Sequence, residues 1–169
     1  EFFAVKQQAY EIPSLIGPMS NQNLAGINVP DYLIVSAPNY LNAAKKLQNY
    51  HATANGLKTE LVNVNEIFNE FSGGQPSPIA IRNFVKYLLN KAATNKVAAP
   101  RYLLLFGIAN FNSRNYNSAS QIPVFESAGS TGTLTSYPSD DFYSIQNKRA
   151  YTIDACPLSL LQKWFREVH

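Results

Sequence analysis

The chain has 169 residues, 46% of them hydrophobic and only 15% charged, with a formal net charge of +3. That length suits one globular domain with a packed core, and the charged share falls short of the about 25% typical of soluble domains. Lys45-Lys46 and Lys148-Arg149 are the only adjacent basic pairs and Cys156 is the single cysteine, which excludes a clustered nucleic-acid footprint, an intramolecular disulfide framework and a cysteine-rich metal site.

No stretch approaches the about 20 continuous apolar residues of a membrane span. Glu1-Phe2-Phe3-Ala4-Val5 has no basic segment leading into an apolar one, so a signal peptide, if the gene has one, is expected upstream. From Tyr10 to Pro30, Pro13, Gly17, Pro18, Gly26 and Pro30 interrupt regular structure, and the segment reads as a connector. Tyr32-Leu33-Ile34-Val35-Ser36 is a short apolar run between Pro30 and Pro38; it fits a strand buried on both faces. Asn39 is placed to cap a helix over 39–54, in which Leu41, Ala44, Leu47 and Tyr50 recur at three-residue steps and Asn55-Gly56 supplies the stop.

Leu57 to Val64 alternates loosely as a second strand, near 58–63, and Asn65 is placed to cap a brief helix through Ile67 and Phe68. Beyond Ser72-Gly73-Gly74, read as a flexible linker, Ser77 stands as N-cap with Pro78 at the first helical position. Ile81, Phe84, Val85, Leu88, Leu89 and Ala92 then mark one face of a helix over 78–93. Tyr102-Leu103-Leu104-Leu105-Phe106-Gly107 is another buried strand. Strand, helix, strand, helix, strand in this order implies an α/β fold with a parallel sheet and helices on its faces. Leu33, Val35, Phe84, Leu88, Leu103 and Leu105 are expected to be almost wholly buried. In such sheets ligands gather beyond the carboxyl ends of the strands, here the loops after Ser36, Val64 and Gly107.

Cysteine catalysis needs a thiolate beside a base, which leaves Cys156 with His51 or His169. His51 reads as a half-buried or charge-complementing residue at a helix end. Cys156 precedes Pro157 with no strand before it, and His169 is the last residue. Gly73-Gly74 lacks the spacing of a phosphate loop. Glu66 and Glu70 read as a solvated helix face with no third ligand nearby. Asp140 and Asp141 adjoin and so are poorly placed as a paired acid and base.

Five phrases stand out by their order and spacing: Asn21-Gln22-Asn23-Leu24 before Asp31-Tyr32-Leu33-Ile34-Val35, Asn69-Glu70-Phe71-Ser72-Gly73-Gly74, Ala80-Ile81-Arg82-Asn83-Phe84, Pro100-Arg101-Tyr102-Leu103-Leu104-Leu105-Phe106-Gly107 and Ser139-Asp140-Asp141-Phe142-Tyr143. Together they resemble the gingipain-type cysteine peptidase family, and particularly its branch that serves as the sortase of type IX secretion in Bacteroidetes. Two departures stand out: Gly107-Ile108 occupies the place of the family's common Gly-Asp, and no strand ending in Gly-Arg-Leu-Pro follows Tyr143.

The resemblance implies a caspase-like, flavodoxin-like parallel sheet with flanking helices, of which this chain holds the first subdomain only. Residues 1–29 are then an exit strand and connector from a preceding β-rich region, 30–145 the first α/β subdomain, and 146–169 a tail that does not match. The family's catalytic histidine and cysteine lie on a second subdomain, so no catalytic residue is expected here, and no cofactor or metal. Asp140, Asp141 and Gly107 are the expected substrate-side residues. The expected partner is a peptide or protein, met through the second subdomain, with self-association through an exposed sheet edge as a further expectation. The expected location is secreted or on the surface of a Gram-negative bacterium. A non-catalytic surface or binding protein that keeps the fold is the alternative. For the tail, which holds Leu160, Leu161, Trp164, Phe165 and Val168 at amphipathic spacing, a native terminal helix and a shifted reading frame are both open.

Overall fold

A computed structural model of the chain describes residues 14, 17, 21–110, 116–117, 119–126, 139–144 and 154–155. The expectations for residues 1–13 and for Cys156 through His169 lie outside these.

Apolar runs and helical stripes fall where the sequence puts them. Strand β1 (Tyr32–Ser36) is buried at every position. It pairs in parallel with β2 (Thr59–Asn63) on one side and with β3 (Tyr102–Phe106) on the other, Ile34 lying opposite both Leu61 and Leu104. The sheet order is β2-β1-β3 followed by a two-residue strand, Asp154–Ala155, parallel to the start of β3. Side chains alternate between the two faces. Leu33, Val35, Val62 and Leu103 pack with helices α2 (Val64–Ser72) and α3 (Pro78–Asn95), whereas Tyr32, Ile34 and Leu104 pack with Ala44 and Leu47 of helix α1 (Leu41–Ala54).

Helix α3 begins as expected, with the Ser77 side chain accepting from the Ile79 amide at 3.2 Å and Pro78 next to it. Its stripe from Ala80 to Ala92 is buried, Phe84 and Leu88 completely so; burial of each such side chain contributes about 1.5–3 kcal/mol. Leu105 differs from expectation in being only half-buried against this core. On the side away from β1, the short strand pairs with β3 at Tyr102 and Leu103.

Two caps also differ. A 3-10 turn, Pro38–Tyr40, leads into α1, which has no side-chain cap; Asn39 instead donates its amide to Ser120 Oγ at 2.6 Å. Helix α2 is capped by Asn63, whose side chain accepts from the Asn65 amide. Gly73, with φ of 61°, ends α2 in the left-handed region, where glycine carries no Cβ penalty. Glu70 is not simply solvated: its Oε1 accepts from the Leu24 amide at 2.9 Å and from Gln22 at 3.2 Å. Tyr87 and Lys91 of α3 hold the carbonyls of Ala25 and Ile27. The described part of the connector, 21–27, is thereby fastened across α2 and α3.

Candidate functional site

Parallel strands bring their carboxyl ends to one edge, and polar loops collect there because the last backbone groups need partners. At the end of β1, Ser36 is fully buried and donates to the Ala37 carbonyl, while the Ala37 amide donates to Phe106 of β3 at 3.0 Å. The chain then turns at Gly107 into β4 (Ile108–Asn110), which pairs in parallel with β5 (Gln121–Pro123). Gln121 fixes this ribbon. Its Oε1 accepts from Asn110 Nδ2 and from the Asn117 amide, and its carbonyl accepts from the Tyr116 hydroxyl at 2.6 Å. Burial pushes the Tyr116 phenol up to about 12, so it stays a neutral donor.

The Ser139-Asp140-Asp141-Phe142-Tyr143 segment hangs from the far end of β5. Ser139 donates its amide to the Phe125 carbonyl at 2.9 Å, and the short helix α4 (Asp141–Ser144) follows. Tyr143 is fully buried and donates its hydroxyl to the Pro123 carbonyl at 2.8 Å. Its phenol is raised well above the ordinary tyrosine range by burial and then by the neighbouring Asp140 charge, partly offset by a backbone hydrogen bond at Phe125. Phe142 stacks on Phe125 with centroids 3.9 Å apart and planes within 4°, and the Arg82 guanidinium lies 4.6 Å from the same ring.

Asp140 and Asp141 are both exposed, Asp140 in the turn before α4 and Asp141 at its start. Gly107 is packed elsewhere: a Cβ there would lie 2.9 Å from Ile122 Cγ1 and 3.2 Å from Ala37 Cβ. Strand β5 thus stands between the two groups, touching Gly107 through Ile122 and α4 through Pro123. Ile108, on the edge beside Gly107, is 52% exposed. Sequence reasoning missed Tyr143, Arg82 and Phe125, whose contacts are 17 or more positions away in the chain, and Gln121, whose bonds close a short loop with no periodic signal. Among the described residues no group of three or more His, Cys, Asp or Glu could hold a metal ion, and no helix is long and apolar enough to cross a membrane.

His51 lies at the opposite end of the sheet. It packs edge-on against Tyr32, the first residue of β1, with centroids 4.8 Å apart, whereas Ser36 ends that strand about 13 Å away at about 3.3 Å per residue. Burial lowers its pKa from 6.5, so the unfolded chain takes up a proton more readily than the folded one. Stability should therefore be lost as pH falls from about 6.5 through the lower folded value. In urea titrations His51→Phe, which keeps a ring against Tyr32, should reduce that loss; an unchanged acid slope would assign the loss to other groups.

A comparison of the sequence with curated proteins returns no match. Among solved structures, the chain is similar to dimeric latent PorU from Porphyromonas gingivalis, with a TM-score of 0.72 and 29% identity over 89% of this chain. It spans 16% of the PorU chain, and the caspase-like α/β fold is common to both. The profile of Peptidase family C25 matches residues 27–156. With most of its length in that match, the chain belongs to peptidase family C25.

Proposed function

We propose that this chain is the first α/β subdomain of a secreted or surface-bound gingipain-type cysteine peptidase acting in type IX secretion, and that it does no catalysis alone. Membership of family C25 and the likeness to PorU support the peptidase reading. The observation that carries the non-catalytic part is the place of His51, at the amino end of the strands against Tyr32, far from the edge where Gly107, the β4–β5 ribbon and α4 gather.

In the whole protein a second subdomain supplies the cysteine thiolate that attacks the peptide carbonyl, the histidine that protonates the leaving amine and the amides that hold the oxyanion. This chain contributes sheet edge and pocket wall, with Asp140 and Asp141 lining or bracing the pocket. A non-catalytic binding protein is the second reading, favoured by Ile108, an exposed apolar residue where the family commonly has aspartate. Coding sequence for a further α/β segment bearing one histidine and one cysteine, each after a strand, favours the peptidase.

The 169-residue chain should show no turnover of peptide mixtures, and Cys156→Ala should change nothing, because a thiol without an oriented base and oxyanion donors gives little rate enhancement. Turnover abolished by that substitution would put a working nucleophile in this chain and overturn the non-catalytic proposal.

A further inference from the structure

Residues 21–27 are held on the domain in the way a bound peptide is. Among the described residues no backbone–backbone hydrogen bond joins this segment to the rest of the chain; the two it makes, from the Gly26 amide to Asn23 and from the Ile27 amide to Leu24, are internal. The Asn23 side chain closes the same 3-10 turn, Leu24–Gly26, by accepting from the Gly26 amide at 2.9 Å. A Cβ at Gly26 would lie 2.6 Å from Asn23 Nδ2, so a side chain there would push that cap away. The turn is shaped by its own residues, which lowers the ordering cost of docking it.

Side chains of α2 and α3 grip it at both ends. The Leu24 amide donates to Glu70 Oε1 at 2.9 Å, and Lys91 Nζ donates to the carbonyls of Ala25 and Ile27, both at 2.7 Å. A carboxylate thus meets a backbone donor and an ammonium meets two backbone acceptors, and such charge-assisted bonds are stronger than neutral ones. The Tyr87 hydroxyl adds a bond to the Ala25 carbonyl at 2.9 Å. All four bonds read main chain. Side-chain recognition falls to Leu24, 5% exposed in the core cluster, and to Gln22, which bonds the Glu66 carbonyl, Glu70 and Asn69. Asn28 is exposed, and the next backbone bond to the domain is that of the Asp31 amide to the Lys58 carbonyl at 2.7 Å.

We propose that the face shared by α2 and α3 is a clamp for a short peptide turn, that the chain fills it with its own residues 21–27, and that this segment lifts off as one unit, a strap hinged at Asn28 and Val29, while the sheet and helices stay folded. Every bond that attaches the strap ends on a helix side chain or on the Glu66 carbonyl, so its release breaks no strand pairing. The core beneath, with Ile67, Phe68, Phe84 and Leu88, remains when Leu24 leaves. Openings of this kind lie below global unfolding in free energy. Leu24 sits between the two charged grips, so losing either one loosens the plug they share. The clamp sets where the chain leaves the domain at residue 21, and release frees that exit. The strap depends on these contacts and not on the peptidase reading.

The test is amide hydrogen exchange of the 169-residue chain in low urea, read by NMR. The Leu24, Gly26 and Ile27 amides should share one protection factor, at least about a hundredfold below that of Ile34 and Leu104, and a shallow urea dependence, because strap release exposes little surface. Lys91→Met, which keeps the stem and removes the ammonium, should speed exchange of the Leu24 amide about tenfold although Lys91 does not bond it; Lys46→Met, on an exposed position of α1, should not. Leu24→Asp should empty the clamp in a chain that keeps its spectral dispersion. Acetyl-Asn-Gln-Asn-Leu-Ala-Gly-Ile-Asn-Val-amide at millimolar concentration should then shift the amides of Glu70, Tyr87 and Lys91 in that variant. It should bind the parent more weakly, by the factor by which the strap protects its own amides. A urea dependence as steep as that of Ile34, a Leu24 amide indifferent to Lys91→Met, an unfolded Leu24→Asp chain, or a peptide that binds neither chain or both equally would each overturn the proposal.

Discussion

Replacing Tyr143 by alanine should cost about 3–5 kcal/mol, the range for emptying a large aromatic site in a packed core. Among the described residues Tyr143 is the largest of the fully buried side chains, and it sits in the core cluster with Phe84, Leu88 and Ile122. Its loss opens a cavity and deprives the Pro123 carbonyl of its 2.8 Å hydrogen bond. Tyr143→Phe keeps the ring and removes the hydroxyl with its bonds to the Pro123 carbonyl and the Phe125 backbone, so it should cost about 1–3 kcal/mol, the penalty for a buried polar group left without its partner. Chemical denaturation of both variants gives the two numbers. Tyr143→Ala should also disperse the Phe125–Phe142–Arg82 stack, because α4 has no other fully buried side chain among its described positions. A cost below about 1 kcal/mol for the alanine variant would show that α4 is not docked as described.

The elements that could be read from the sequence are those whose signal is local. Tyr32–Ser36 and Tyr102–Phe106 are continuous apolar runs because both faces of those strands are covered. Ser77-Pro78 with its apolar stripe specifies α3 within a few residues. Strands β4 and β5 and helix α4 gave no such signal. Each is three or four residues long, too short for a period, and their order rests on bonds such as Asn39 to Ala119 and Asn39 to Ser120, about 80 positions apart in the chain. The same bonds explain the misplaced cap. Asn39 is chemically suited to start α1, but its amide is spent on the loop before β5 while the 3-10 turn at Pro38–Tyr40 leads in.

The candidate site divides along the same line. Asp140, Asp141 and Gly107 stand out in the sequence only through phrases resembling a family, and both aspartates are exposed on the segment hung from β5. What fixes that segment is the pair of aromatic residues beside them. Phe142 and Tyr143 stand in the same phrase, but their partners Arg82, Phe125 and Pro123 are brought close only by the fold. Glu70 shows the converse error. On a short helix with no histidine nearby it reads as solvated, yet it receives the Leu24 amide from 46 residues upstream. Spacing along one helix cannot reveal a partner that arrives from a connector.

Gly107 tests whether a residue marked by family resemblance serves the substrate side or the packing beneath it. It is not among the positive-φ glycines, so alanine is acceptable to the backbone and any penalty is steric. The added Cβ would come within 2.9 Å of Ile122 Cγ1 and 3.2 Å of Ile122 Cδ1 and Ala37 Cβ. Ile122 and Ala37 are buried, at 2% and 0% exposure, and have little room to yield. Gly107→Ala should therefore destabilise by about 1–3 kcal/mol, the usual cost of overpacking. Ile122→Ala should cost about 2–5 kcal/mol alone, by leaving a cavity. Combined, they should cost less than the sum by more than about 1 kcal/mol, because the new methyl enters the space that Ile122 vacates. Denaturation curves of the four proteins close this cycle. Strict additivity, or a Gly107→Ala variant as stable as the parent, would mean that packing does not require glycine here. Access to the carboxyl edge would then be the remaining reason for its place beside Ile108.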